Sequence, residues 1–352
     1  MMFRWLLLVM CGSMAANAET AALRADSEGK LLVKDQPLKL WGLRVACAAA
    51  KEESTQQLIG SLAELKENGI NALLVCYQGG NGLTQKVFTA DGASFEDAAA
   101  RDRVRRIIEA AGAKDMVVIV SLFFPRKMGI GGQDPKLGSR AAYVAACKTA
   151  AEELKDRKNV ILAVLDQPMA GVFSNGPMKF TPADVIECLK AAESGAANLL
   201  RGGGSSAHDA NLQIAKSEAA TVILHAETGA NPPVFAGVKK PIIHVGYFGT
   251  NETAGKNPQG FYPPLAKQPF SDLLDRYLDA STAHFMAHFP AWTEGGMDLK
   301  PNRFDLGGQG TQKDPGLMWY VDAVHKRTRK KEERPAGTPA LPVKPGKSIF
   351  DN

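Results

Sequence analysis

Short apolar, β-branched runs recur along the chain at nearly regular intervals. They are "LKLWGLRVAC" (38–47), "INALLVCY" (70–77), "MVVIVSLFF" (116–124), "NVILAVLD" (159–166), "ANLLRGG" (197–203), "TVILHAE" (221–227), "PIIHVGYF" (241–248) and "HFMAHFPAW" (284–292). Most are apolar at successive positions rather than alternate ones. That pattern belongs to strands buried on both faces, as in a parallel sheet. Helical patterns separate most of the runs. "STQQLIGSLAELKENG" puts Leu58, Leu62 and Leu65 on one stripe and stops at Gly69, a natural position for a left-handed residue after a helix. "ASFEDAAARDRVRRIIEAAG" predicts Phe95, Val104, Ile107 and Ile108 inward. "SRAAYVAACKTAAEELKD" and "TPADVIECLKAAESG" follow, the latter with Thr181 as N-cap and Pro182 at the first helical position. "SDLLDRYLDAST" precedes the last strand, and "DPGLMWYVDAVHKR" closes the pattern.

Eight strands alternating with helices predict an α/β protein, a single-domain (β/α)8 TIM barrel. An open doubly wound sheet is the rival, but no G-x-G-x-x-G follows the first strand. "RGGGSS" (201–206) lacks the Gly-Lys-Ser/Thr ending of a phosphate loop and is read as a tight strand-to-helix turn.

Composition changes this picture at the ends. The opening "MMFRWLLLVMCGSMAANAE" has a basic Arg4, an apolar stretch from Trp5 to Met10 and a small-x-small site at Ala16-Asn17-Ala18. This is the pattern of a signal peptide, residues 1–18, cleaved after Ala18, and it predicts a secreted or periplasmic product. The apolar stretch is too short to span a bilayer, and no other run predicts a membrane span. The barrel is expected over 19–328. The formal charge is +5, and +4 once Arg4 is cleaved away; "KRTRKKEER" (326–334) carries six basic and two acidic groups, also +4, so the excess belongs to this run. It gives no reason to expect nucleic acid. The Pro- and Lys-rich stretch 329–352 reads as a flexible tail. Export makes disulfides available to Cys47, Cys76, Cys147 and Cys188. Cys47 and Cys76 end neighbouring predicted strands, which allows a bridge; two buried thiols are the competing reading. No spacing fits a zinc site. His225, His244, His284 and His288 fall on predicted strands, where a four-residue spacing does not place two ligands as a helix would. Neither a metal nor another cofactor is expected.

In a barrel, chemistry collects where strands end. Strand four ends Asp166-Gln167-Pro168, strand six His225-Ala226-Glu227, strand seven Gly246-Tyr247-Phe248-Gly249, and strand eight Trp292, with Glu294 beyond. Over roughly residues 27–325 the chain resembles the clan-A glycoside hydrolases, the cellulase-like barrels of family five. The resemblance rests on the hairpin-like opening "EGKLLVKDQPLKLWGLRV" and on "LAELKENGINALLV" leading into strand two. It rests also on "VLDQP" where that family has Asn-Glu-Pro, and on "KPIIHVGYFGT" where it has Gly-Glu-Phe-Gly-Thr.

The resemblance implies polysaccharide or oligosaccharide as partner and two glutamates as catalysts. Here the matching positions are Gln167 for the acid/base and Tyr247 for the nucleophile. Gln has no proton to titrate. Tyr, with a free pKa of about 10, is a poor nucleophile unless activated. Asp166 replaces the sugar-binding Asn, and the family's arginine on strand two and histidine after strand three are absent. His225 and Trp292 match its sugar-facing set.

Three readings follow. The first is a degenerate glycosidase that binds glycan or another partner without efficient hydrolysis. Phe123, Phe124, Tyr247, Phe248 and Trp292 are its candidate aromatic platforms, although Phe123 and Phe124 are better read as packing. The second is an active hydrolase with a rearranged site built from Glu227, Asp166, Tyr247 or Glu294. A tyrosine nucleophile with a carboxylate partner is known in sialidases. The third is a structural or adhesion module using the barrel as scaffold.

Overall fold

A computed structural model describes residues 22–78, 86–123, 137, 139–165, 181–227, 231–245, 267–288 and 318–328. The expected signal peptide 1–18 and the tail 329–352 lie outside the described residues.

The chain opens with a small antiparallel sheet of β1 (Arg24–Ala25), β2 (Leu31–Val33) and β3 (Gln36–Leu38). Lys34 and Asp35 join β2 to β3 with φ of 51° and 60°. Two successive left-handed residues match the right-handed twist of a hairpin. Leu23 and Leu31 pack with Leu40, Ala72, Val117 and Ile161, so the small sheet closes the end of the barrel where the strands begin.

Eight parallel strands form that barrel in the order of the chain: β4 (Trp41–Arg44), β5 (Ala72–Cys76), β6 (Val117–Phe123), β7 (Val160–Leu165), β8 (Leu200–Gly203), β9 (Val222–His225), β10 (Ile242–His244) and β11 (Ala283–His288). β11 closes it on β4 through the pairs Phe285–Trp41 and His288–Arg44. All eight predicted strands are present. Their near-continuous apolar runs have a direct cause, since successive side chains alternate between two buried environments. Leu74, Ile119, Ala163, Leu224, Ile243 and Met286 fill the barrel. Leu73, Val75, Val118, Val120, Leu162, Ile223 and Phe285 face the helices.

The described helices are α1 (Glu52–Glu67), α2 (Ala98–Gly112), α3 (Arg140–Leu154), α4 (Pro182–Gly195), α5 (His208–Lys216), α6 (Lys267–Asp279) and α7 (Met318–Thr328). α1 buries Leu58, Leu62 and Leu65 and ends before Gly69, whose φ is +88°. Thr181 and Asp184 cap α4 reciprocally, with Pro182 in the first turn. One expectation needs correction. Phe95 is not on α2; it precedes the Asp97 cap and bridges Phe88, where the two rings pack 4.9 Å apart. α5 follows the expected strand-to-helix turn without an apolar stripe of its own. Its buried residues are only Asn211, Ile214 and Ala215, too few for an apolar stripe. Its C-terminus is capped by Lys240, whose ammonium donates to the Ala215 and Ser217 carbonyls at 2.7 and 2.6 Å.

"RGGGSS" is the predicted strand-to-helix turn, and packing explains its glycines. A β-carbon on Gly202 would lie 2.6 Å from Val222, and one on Gly204 would lie 1.4 Å from the Leu224 carbonyl oxygen. The loop passes too close to β9 for any side chain. Cys47, in the turn after β4, and Cys76, at the end of β5, are buried thiols, and no disulfide joins described cysteines.

Candidate functional site at the strand ends

Alternation decides which strand-end residues face the barrel. On β4, Trp41 and Leu43 pack against helices, so Gly42 and Arg44 face inward; a β-carbon on Gly42 would strike the Met286 sulfur at 2.3 Å. Cys76 on β5 and Ser121 on β6 are register partners on the inward parity of their strands. Arg44, Cys76 and Ser121 are fully buried, and Gln78 just beyond β5 is 1% exposed. The Ser121 hydroxyl has no hydrogen-bond partner among the described residues. The upper barrel thus carries a buried cation, a thiol and a hydroxyl. The described positions nearest them on β7 and β8, Ala163 and Gly202, are small.

On β9 the same alternation sends Val222 and Leu224 inward and Ile223 outward. His225 follows Ile223. Its Nε2 lies 3.0 Å from the Tyr277 hydroxyl of α6, and its ring meets the His244 ring edge-on at 5.0 Å. His244 in turn stacks on Phe285 at 5.1 Å. Burial, aided by His244, holds the His225 pKa well below its ordinary value, so the ring is neutral. The expectation that His225 belongs to a sugar-facing set is therefore corrected, because its side chain lies in the layer between the sheet and α6.

Glu227 stands two residues further along, at the rim. Its carboxylate accepts from Asn211 Nδ2 at 2.5 Å and pairs with His208 Nδ1 at 3.2 Å. Asn211 is fully buried on α5 and also clamps the glycine turn. Its Oδ1 accepts from the Ser205 N–H at 2.6 Å and its Nδ2 donates to the Ser205 carbonyl at 2.8 Å. His208 is the first residue of α5, half exposed and stacked on Phe235 at 5.2 Å. Glu227 itself is 17% exposed. The result is a rigid carboxylate–imidazole pair on the face where β-strands hand over to helices, with the imidazole open to solvent.

Of the other residues singled out in the sequence, Phe123 packs against Tyr143 at 4.9 Å and is fully buried, a core residue. Asp166, Gln167, Tyr247, Trp292 and Glu294 lie outside the described residues, as do Phe124 and Phe248. Sequence reasoning missed Arg44, Ser121, His208 and Asn211. A charge inside a strand otherwise apolar on both faces was the available signal for Arg44. For the second pair, it was His208 and Asn211 three apart after a Ser-Ser turn, which share one helix face.

Neither a protein-family model nor a curated protein matches the sequence. Similarity to solved structures is extensive in shape and low in identity. A structure described as a glycoside hydrolase superposes with a TM-score of 0.59 at 11% identity, covering 87% of this chain and 73% of the other. A glycoside hydrolase family 5 mannosidase from Rhizomucor miehei gives 0.56 at 10% identity, covering 87% and 99%. The β-mannanase of the blue mussel Mytilus edulis gives 0.56 at 12% identity, covering 89% and 98%. The chain therefore has the single-domain (β/α)8 fold found in cellulase-like clan-A glycoside hydrolases.

Proposed function

We propose that the protein is an exported, glycoside-hydrolase-like barrel that binds a polysaccharide or oligosaccharide at its strand ends without efficient hydrolysis. One observation carries this reading: the described strand-end carboxylate, Glu227, is turned toward α5 and held by Asn211 and His208. Retaining hydrolysis needs two carboxyl groups about 5–5.5 Å apart, flanking the scissile bond. The sequence offers Gln167 and Tyr247 where the family's motifs have those glutamates, and Glu227 is already committed elsewhere. A binding role asks less. It needs polar groups and aromatic faces along a groove, which Tyr247, Phe248 and Trp292 would supply. The fold shared with a mannosidase and a mannanase makes β-mannan the first ligand to try.

The test is affinity electrophoresis in soluble β-mannan and β-glucan, run beside a reducing-sugar assay. Retarded migration without turnover supports the reading. Turnover at the rate of a purified glycosidase overturns it. N-terminal sequencing of the exported chain should begin at Glu19.

The His208–Glu227 pair favours a second reading, an active hydrolase with a rearranged site. A carboxylate that orients an imidazole is a competent proton-transfer unit. Glu227→Gln would abolish turnover in that case and leave binding intact under the first reading.

A further inference from the structure

The helix pair α3 and α4 forms the most extensive helix–helix contact among the described elements. The two run parallel with a steady offset. Arg140, at the start of α3, pairs with Asp184 and Glu187 at the start of α4, at 2.5 and 2.8 Å. At the other end, a β-carbon on Gly195 would lie 2.7 Å from the Lys148 carbonyl oxygen and 3.2 Å from Ala151. Gly195 and Ala151 are the small residues that meet there, in the seam between the helices. Such a seam lets two backbones approach closely. Midway along it, Cys147 and Cys188 are both buried, and their thiols are within hydrogen-bonding contact of each other.

We propose that Cys147 and Cys188 form a disulfide that staples α3 to α4. The sequence pointed to Cys47 and Cys76 instead, because strand ends were countable and helix faces were not. The step is a two-electron oxidation. Each sulfur gives up its proton, one S–S bond forms, and the electrons reduce an external disulfide such as oxidised glutathione to two thiols. The reaction belongs to folding, before the seam closes. Burial, reinforced by the neighbouring thiol, raises the Cys147 pKa well above its ordinary value, so the closed seam holds little thiolate to attack an oxidant. The bridge would close a loop containing β7 and the whole segment that leads to α4, including Asp166 and Gln167 in the sequence. A covalent tie would hold the two helices that flank that segment.

The proposal does not depend on the glycan reading, and its test can fail independently. The reduced full chain is refolded from denaturant in a glutathione redox buffer, acid-quenched, alkylated and digested with trypsin. The tryptic peptides 141–148 and 180–190 should appear as one linked species, and their alkylated forms should be lost until reductant is added before alkylation. Full alkylation of both peptides, or a bridge from either to Cys11, Cys47 or Cys76, would overturn the proposal. The unfolding midpoint of the oxidised chain should also fall on reduction, and Cys188→Ala should remove that difference. If that variant does not fold, the peptide map of the unsubstituted chain still decides.

Discussion

Acid should destabilise this barrel well before its carboxylates titrate, because two fully buried histidines are held neutral. His284, on β11, accepts the Leu40 N–H through Nδ1 at 3.1 Å, so its proton must sit on Nε2. Burial, with the Lys39 ammonium nearby, lowers its pKa to about 3. His225 is lowered well below its ordinary value by burial and by His244. In the unfolded chain both titrate near 6.5. Between that value and the folded one, the unfolded state binds more protons, so stability rises with pH across the window and is lost as pH falls. The effect is fully absent above about 7. At pH 5 the His284 ring alone costs RT ln(1 + 10^1.5), about 2 kcal/mol, and His225 adds to the loss in the same direction. That is a large share of the roughly 5–15 kcal/mol that holds a typical domain folded. Urea unfolding followed by circular dichroism at pH 7, 6 and 5 reads the slope directly. The variant His284→Asn keeps an acceptor for Leu40 but cannot titrate, and should remove about 2 kcal/mol of the loss at pH 5. An unchanged pH slope in that variant would refute the reasoning, since it would mean that the ring is protonated in the folded state or stays screened in the unfolded one.

Two substitutions test the strand-end architecture. Gly204→Ala sets a methyl 1.4 Å from the Leu224 carbonyl oxygen, so it should prevent soluble expression or lower stability by more than about 3 kcal/mol, read from the unfolding midpoint. Asn211→Ala strands the Ser205 N–H and carbonyl and frees Glu227, and should cost about 2–4 kcal/mol in urea unfolding; a loss below about 0.5 kcal/mol would show that the clamp is dispensable.

The barrel was legible because its signal is redundant. Each strand is apolar on both faces, so an error of one residue in register leaves the pattern intact, and eight repeats vote for the same fold. Three features were not legible, for separate physical reasons. The extent of α5, beyond the turn that leads into it, hides because Asn211 occupies the buried face where a periodic pattern needs an apolar residue, and that asparagine serves the Ser205 turn rather than the core. Phe95 reads as helical because it precedes an amphipathic run, yet the Asp97 cap starts the helix two residues later. The thiol pair on α3 and α4 needs the angular setting of two helices, which no strand-end count provides.

The facing of strand-end side chains is the deeper case, and it bears on function. In a strand a shift of one residue exchanges the two faces, so a run apolar on both sides carries no internal mark of which side is the barrel's interior. On β9 the mark comes only from neighbours. Val222 and Leu224 meet the inner cluster, hence His225 goes outward to Tyr277, and Glu227, two residues on, meets Asn211 of α5. On β4 the same reasoning brings Arg44 inward, a residue with no candidate role in the sequence. The apparent remnant histidine of a sugar site is thus a packing residue, while the interior holds a cation that composition alone would place at the surface. The top of the barrel thus holds a buried guanidinium and, among the described residues, a Ser121 hydroxyl with no hydrogen-bond partner, while Glu227 at the rim is tied to a helix. Whether Arg44 contributes to glycan binding is measurable: Arg44→Met, close in volume and uncharged, should weaken retardation in β-mannan gels while leaving the barrel folded by circular dichroism. Unchanged retardation in a folded variant would assign the arginine to the core.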